Sequence, residues 1–287
     1  MINKDSQSHK VCISCGASSS SFITYKKLKT ILYSDNKYNY SVVCCKSCGL
    51  LFNNPLPSDL TLENFYKDTD SNKSLPNSKK AIKKIKEANK LKRLVSMPFI
   101  EKNIGVIKNS KILDIGCDNG GWLNEFHKSK NLKGNATSKA NIERAKEFFG
   151  VEIIPKPWDC GLIKNSSIDL ITSMHTFEHF TNPVNALVCA NRALKIGGYI
   201  HIQVPSPFGL VFRRGLNFAF KPYHLYYFSE KVLSNLLNQT GFKFIDSREL
   251  PPLRFNKKSI FDSEYFASDV TEIIFEKIRT VSSREKG

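Results

Sequence analysis

The sequence predicts an α/β protein: a doubly wound, mostly parallel sheet preceded by a small cysteine-rich module. Three observations carry this. From residue 111 onward, short apolar runs alternate with helical patterns, and such alternation builds parallel sheets covered by helices. The first run, Lys-Ile-Leu-Asp-Ile at 111–115, passes directly into a glycine-bearing turn at 116–121. Ahead of this region, five of the eight cysteines fall within the first 48 residues.

Taken in order, the chain opens with two knuckles, Cys12-x-x-Cys15 and Cys45-x-x-Cys48, separated by 29 residues. Gly16 and Gly49 follow them, as a tight turn requires. Two thiolates from each knuckle complete a tetrahedral structural zinc site, and a segment this short needs such a staple. Cys44 is the odd one out, because only the Cys45–Cys48 spacing repeats the first knuckle. Cys117, Cys160 and Cys189 are isolated in sequence and read as ordinary small buried residues.

Residues 55–77 read as a proline-bearing connector with a short helix near 60–66, followed by a long basic helix at 78–103. Strands are then expected at 111–115, 132–137, 151–154, 168–174, 199–204 and 242–246. Helices are expected at 120–128, at 138–149, after Asn182-Pro183 as far as Gly197-Gly198, and between Ser229 and Gly241. The division is 1–54 as the zinc-binding module, 55–104 as connector and leading helix, 105–250 as the main domain, and 251–287 as a C-terminal extension.

Composition narrows the classes. The 287 residues carry 43 Lys+Arg against 26 Asp+Glu, a net charge of +17. The lysines are spread along the chain, and the densest run, 79–93, has apolar residues at helical spacing. It reads as the solvated face of an amphipathic helix, with a nucleic-acid patch as the alternative. No apolar run approaches the ~18–20 residues of a membrane span, and the N-terminus is polar without a signal-peptide core. The cytoplasm is the expected location.

Four blocks then matter together: ILDIGCDNGG, SSIDLITSMHTFEHFTNP, ANRALKIGGYIHIQVPSP and YHLYYFSEKVLSNLLNQTGF. In order and spacing, the chain over about 78–250 resembles the class I S-adenosylmethionine-dependent methyltransferases. The resemblance is to the branch that carries His-x-x-Glu-His after the fourth strand. Many members of that branch also carry an N-terminal Cys-x-x-Cys pair and methylate sugars or small metabolites. It implies a seven-stranded Rossmann-like sheet with a zinc-ribbon-like module, and S-adenosyl-L-methionine as cofactor. It implies a cofactor loop of Asp114, Gly116, Cys117 and Gly120, an adenine contact near Asp159, and lining around Ser173, Met174 and His175. An acceptor-side insertion is implied at 206–228, where residues 208–220 with Arg213 and Arg214 resemble a lid.

The chain departs from the family twice. Asp118 stands where the middle glycine of the loop is usual. Gly134-Asn135-Ala136-Thr137-Ser138 lacks the acid that usually takes the ribose hydroxyls, leaving Asn135 as the candidate substitute.

His175, Glu178 and His179 form His-x-x-Glu-His directly after a strand, where open α/β sheets bind ligands, so the similar zinc-protease string is rejected. Methyl transfer to a hydroxyl needs a positioned acceptor and a base, and histidine suits the second task. His175 or His179 is the candidate base, with Glu178 orienting it. The bland alternative has His179 capping the next helix and Glu178 in an ion pair. His224, with Tyr223 and Tyr226, is expected to face the acceptor. Small-molecule or sugar O-methylation is the leading expectation. An RNA base methyltransferase and a non-catalytic binder on a degenerate methyltransferase fold are the alternatives.

Overall fold

In the N-terminal module, three strands pair in antiparallel order: β1 (Phe22–Ile31), β2 (Lys37–Cys45) and β3 (Leu51–Asn54), with Val43, Cys45 and Phe52 turned into the core. The structure is a computed structural model that describes residues 8–31, 37–58, 60–62, 79–105, 108–126, 131–207, 220–221, 223–250 and 270–281. The basic helix α1 (Lys79–Ile104) follows. It turns Met97, Phe99 and Ile100 onto the face of the main sheet, against Ile112, Trp122 and Ile274.

The alternating region builds β4 (Lys111–Ile115), α2 (Gly121–Asn124), β5 (Asn131–Asn135), α3 (Lys139–Arg144) with a wide turn at Ala145–Phe149, and β6 (Ile153–Ile154). It continues through β7 (Ile168–Met174), α4 (Pro183–Ala193) and β8 (Leu194–Pro205). Last come β9 (Tyr226–Tyr227), α5 (Glu230–Gln239), β10 (Phe242–Leu250) and β11 (Val270–Lys277). The order across the main sheet is β10-β11-β8-β7-β4-β5-β6. Neighbours from β6 to β8 are parallel, and β11 runs antiparallel to both β8 and β10. The fold is therefore the Rossmann-like, seven-stranded sheet expected from the sequence.

Caps act where the sequence places them. Asn182 accepts from Asn185 N–H at 2.9 Å and Ser229 from Val232 N–H at 3.4 Å. Helix α4 nevertheless stops at Ala193, short of Gly197-Gly198. Leu194 leaves helical geometry to pair with Ile168, and its carbonyl accepts from the buried Lys277 ammonium at 2.8 Å. A tertiary partner ends the helix before its glycine does.

Three features were not anticipated. Val270–Lys277, placed by sequence in a C-terminal extension, is an almost wholly buried strand inside the sheet. Cys160 and Cys189, read as isolated, are joined as a disulfide that ties the segment after β6 to α4. The crossover between β6 and α4 brings together cysteines 29 residues apart, which no local pattern reports. The cysteine module also shares its sheet with the main domain. Strand β9 pairs with β3, and one continuous apolar core runs from Val43 and Phe52 to Ile171 and Ile202.

Candidate active site and cysteine cluster

The glycine turn leaves β4 at its C-terminal end. Gly116 has φ +70°, and a Cβ there would meet Thr176 Cγ2 at 2.3 Å, so the turn packs directly on the loop after β7. Gly120, at φ +71°, is the N-cap of α2. Asp118 adopts φ +49°, the left-handed backbone that a glycine would take. Its carboxylate is exposed and accepts from the Asn119 and Asn141 side-chain amides, so it turns outward. Asp118 thus keeps the loop's shape without directing charge into it.

Asp114 is 3% exposed, with Oδ1 accepting from the Thr172 hydroxyl at 2.7 Å. Burial pushes its pKa up to about 7, against the opposing pulls of the Thr172 hydrogen bond and the Lys92 ammonium. Lys92, from α1, lies near both Asp114 and Asp118, and burial lowers its own pKa. The sequence pattern of 79–93 alone predicts a solvated face there.

Asn135 is buried, and its amide is committed to protein. Oδ1 accepts from Gly116 N–H at 3.2 Å, and Nδ2 donates to the Lys156 carbonyl at 3.2 Å. It supports the turn through both ends of its amide. Ala136 is buried and its N–H pairs with the Ile154 carbonyl. Cys117 faces inward, where a Cβ on Gly134 would meet its sulfur at 2.5 Å. Asp159 is exposed, and its Oδ1 accepts from Cys160 N–H at 2.7 Å. Met174 ends β7 and is 9% exposed.

Beyond Met174 the four candidate catalytic residues converge. His175 has φ +51° and donates its N–H to the Gln203 carbonyl. Its Nδ1 is 3.9 Å from Glu178 Oε1, and burial lowers its pKa to about 3. Residues Phe177–His179 form one 3-10 turn, which brings His179 Nε2 to 3.7 Å from the same oxygen. Glu178 is 2% exposed, and burial raises its pKa to about 8. His179 Nδ1 lies 2.8 Å from the Tyr223 carbonyl, and the rings of His179 and His224 meet edge to face at 5.0 Å. Burial holds His224 well below the ordinary histidine range. Tyr223 stacks on His179. Tyr226 instead turns its hydroxyl to His9 and to the Thr181 carbonyl. Of the acceptor-side insertion, residues 208–219 and 222, including Arg213 and Arg214, lie outside the described residues.

Asn53, at the end of β3, was missed by sequence analysis. It is fully buried and donates through Nδ2 to the His224 carbonyl at 2.9 Å and the Lys221 carbonyl at 3.3 Å. Its N–H donates to the Leu225 carbonyl, while Leu225 N–H donates to the Glu178 carbonyl. The cysteine module therefore holds the His224 segment against the turn that carries Glu178. Only a pairing between β3 and β9, far apart in sequence, reveals this.

The four knuckle cysteines also converge. Cys12 and Cys48 sulfurs are 3.6 Å apart, and those of Cys15 and Cys45 are 3.7 Å apart. Thiolates at ~2.3 Å around a tetrahedral zinc would be ~3.8 Å from one another, so these two pairs already stand at the spacing of zinc ligands, and all four sulfurs lie within 4.8 Å of one another. Gly16 and Gly49 donate to the Cys12 and Cys45 carbonyls at 2.8 Å each, closing the knuckles at φ +72° and +81°. Cys44 points its sulfur at the Cys45 carbonyl.

A family model described as a methyltransferase domain matches residues 78–247. The chain belongs to this methyltransferase-domain family, whose methyl donor is S-adenosylmethionine. No curated protein matches the chain in sequence. Among solved structures, a chain from the Haloferax volcanii complex of the Trm112 methyltransferase activator is similar at 12% identity and TM-score 0.52, over 68% of this chain and 94% of that one. The YcgJ protein of Bacillus subtilis is similar at 18% identity and TM-score 0.50, over 64% and 98%. A Pyrococcus horikoshii protein aligns at 15% identity and TM-score 0.50, over 66% and 90%. At these identities the likeness is one of fold.

The residues at the turn fit the donor's amino-acid end, which carries an ammonium and a carboxylate. Asp114 and Lys92 bring an acid and a base to the turn. At the ribose end the fit is poorer, because Ala136 offers no acceptor side chain.

Proposed function

We propose that this protein methylates a hydroxyl of a small molecule or sugar, with the acceptor seated at the His175–Glu178–His179–His224 cluster. The carrying observation is that these four side chains gather beside the glycine turn, at the C-terminal ends of β4 and β7. S-adenosylmethionine, when bound, supplies an electrophilic methyl group. Asp114, Lys92 and the turn hold the donor's methionine end. The cluster receives the acceptor hydroxyl, orients it and draws off its proton. His175, neutral and deeply buried, is a weak base that shapes the cluster. His179, at 22% side-chain exposure, is the member an acceptor reaches. The cysteine cluster holds a structural zinc ion, with all four positions taken by protein.

Calorimetry with S-adenosylmethionine tests the first half of this reading. Micromolar or tighter binding that weakens at least tenfold in Asp114→Ala is expected, and no binding by folded, zinc-loaded protein would refute it. His179→Ala and Glu178→Gln should lower turnover by ~10²–10⁴-fold while sparing donor affinity. Equal loss of donor binding would make the cluster part of the donor pocket. Elemental analysis should find one zinc per chain, lost in Cys12→Ser.

A further inference from the structure

The cluster after β7 has more lone pairs than protons to share among them. Among the described residues, neither carboxyl oxygen of Glu178 has a hydrogen-bond partner, and neither does the buried Nδ1 of His224. His179 Nδ1 faces a carbonyl, so that nitrogen carries the ring proton and Nε2 carries a lone pair. Nε2 lies 3.7 Å from Glu178 Oε1. One ligand atom each from Glu178, His179 and His224 lie within 4.8 Å of one another. A proton shared between one Glu178 oxygen and His224 Nδ1 would leave the other carboxyl oxygen buried and without a partner among the described residues, which is costly. A cation can be bound by the carboxylate and both imidazoles together.

We propose that Glu178, His179 and His224 bind a divalent first-row metal ion, distinct from the zinc of the cysteine cluster. Two imidazoles and one carboxylate favour manganese, iron, cobalt or zinc over magnesium or calcium. The second shell is in place: His179 Nδ1 is anchored on the Tyr223 carbonyl, and Asn53 fixes the His224 backbone. Ligand atoms around such an ion sit ~3.0–3.4 Å apart, so atoms now within 4.8 Å of one another close by at most about 1.5–2 Å on loading. Three protein ligands leave positions open, as in catalytic rather than structural sites. With the ion bound, His179 serves as a ligand in place of a base, and an acceptor oxygen entering an open position would be acidified by the ion and would release its proton to solvent at the cluster's exposed edge. That last step rests on the proposed methyl transfer, whereas ion binding does not.

The test uses the full-length, zinc-loaded protein titrated with cobalt(II) and followed by visible absorption and calorimetry. One equivalent should bind with d–d bands and no thiolate-to-metal charge transfer, which separates this site from the cysteine cluster. Glu178→Gln, nearly isosteric, should weaken binding by about 100-fold or more, beyond the 10–100-fold typical of outer-shell changes. His224→Ala should do the same. Failure of the wild type to bind cobalt, or unchanged affinity in folded Glu178→Gln, would overturn the proposal. Cobalt binding without S-adenosylmethionine binding would remove the methyltransferase reading and leave the metal site standing.

Discussion

Asp114→Asn should stabilise the protein while weakening donor binding. In the folded state, burial raises the Asp114 pKa from 3.8 to about 7. Its carboxyl is then protonated in the folded chain over a range where the unfolded chain has released the proton. The sign follows: this group costs nothing below pH 3.8, and stability falls as pH rises toward 7. Each pH unit in that window costs ~1.4 kcal/mol, so the loss is about 2 kcal/mol at pH 5 and about 4 kcal/mol at pH 7. Asparagine keeps an oxygen for the Thr172 hydroxyl and does not titrate. Its advantage over wild type should therefore grow by ~2 kcal/mol between pH 5 and pH 7, or about 4–8 °C in Tm. Urea unfolding at both pH values, with calorimetry of S-adenosylmethionine at pH 7, measures the two effects. A stability difference that does not change with pH would refute the reasoning, because the carboxyl would then carry no burial cost.

Asn53→Ala removes the buried amide that holds the His224 and Lys221 carbonyls. It should destabilise by about 2–3 kcal/mol and lower cluster-dependent turnover with zinc content unchanged, as followed by thermal denaturation and elemental analysis. Gly116→Ala places a Cβ 2.3 Å from Thr176 Cγ2 at φ +70°. The backbone penalty alone is roughly 1–2 kcal/mol, so donor affinity measured by calorimetry should fall by tenfold or more. Ala136→Asp restores an acceptor near the C-terminal end of β5 and should tighten donor binding severalfold. No change would mean that the ribose sits elsewhere.

Several features were legible in the sequence because the information is local. The β–α alternation lies in hydrophobic period, the turn at 116–121 in glycine spacing, and the helix caps in single residues such as Asn182 and Ser229. The cysteine knuckles needed only the repeat of one spacing, and Cys45 was preferred to Cys44 on that ground alone. His175, Glu178 and His179 were visible as a group because one turn of chain carries all three.

Other features depend on contacts between distant residues, which no period or spacing records. Strand β11 inserts between β10 and β8, one place in from the edge of the sheet, from a segment beyond the recognisable blocks, and its Lys277 decides where α4 ends. Lys92 is drawn from an apparently solvated face toward Asp114 and Asp118. Asn135, a candidate for the ribose, is turned under the glycine loop because Gly116 N–H and the Lys156 carbonyl both need a partner there. The protonation states of Asp114, His175 and Glu178 are likewise products of burial, which exists only after the chain has folded. The sequence determined which reactive groups this protein carries. The tertiary structure decided which of them meet, through the pairing of β3 with β9 that holds His224 beside Glu178 and His179.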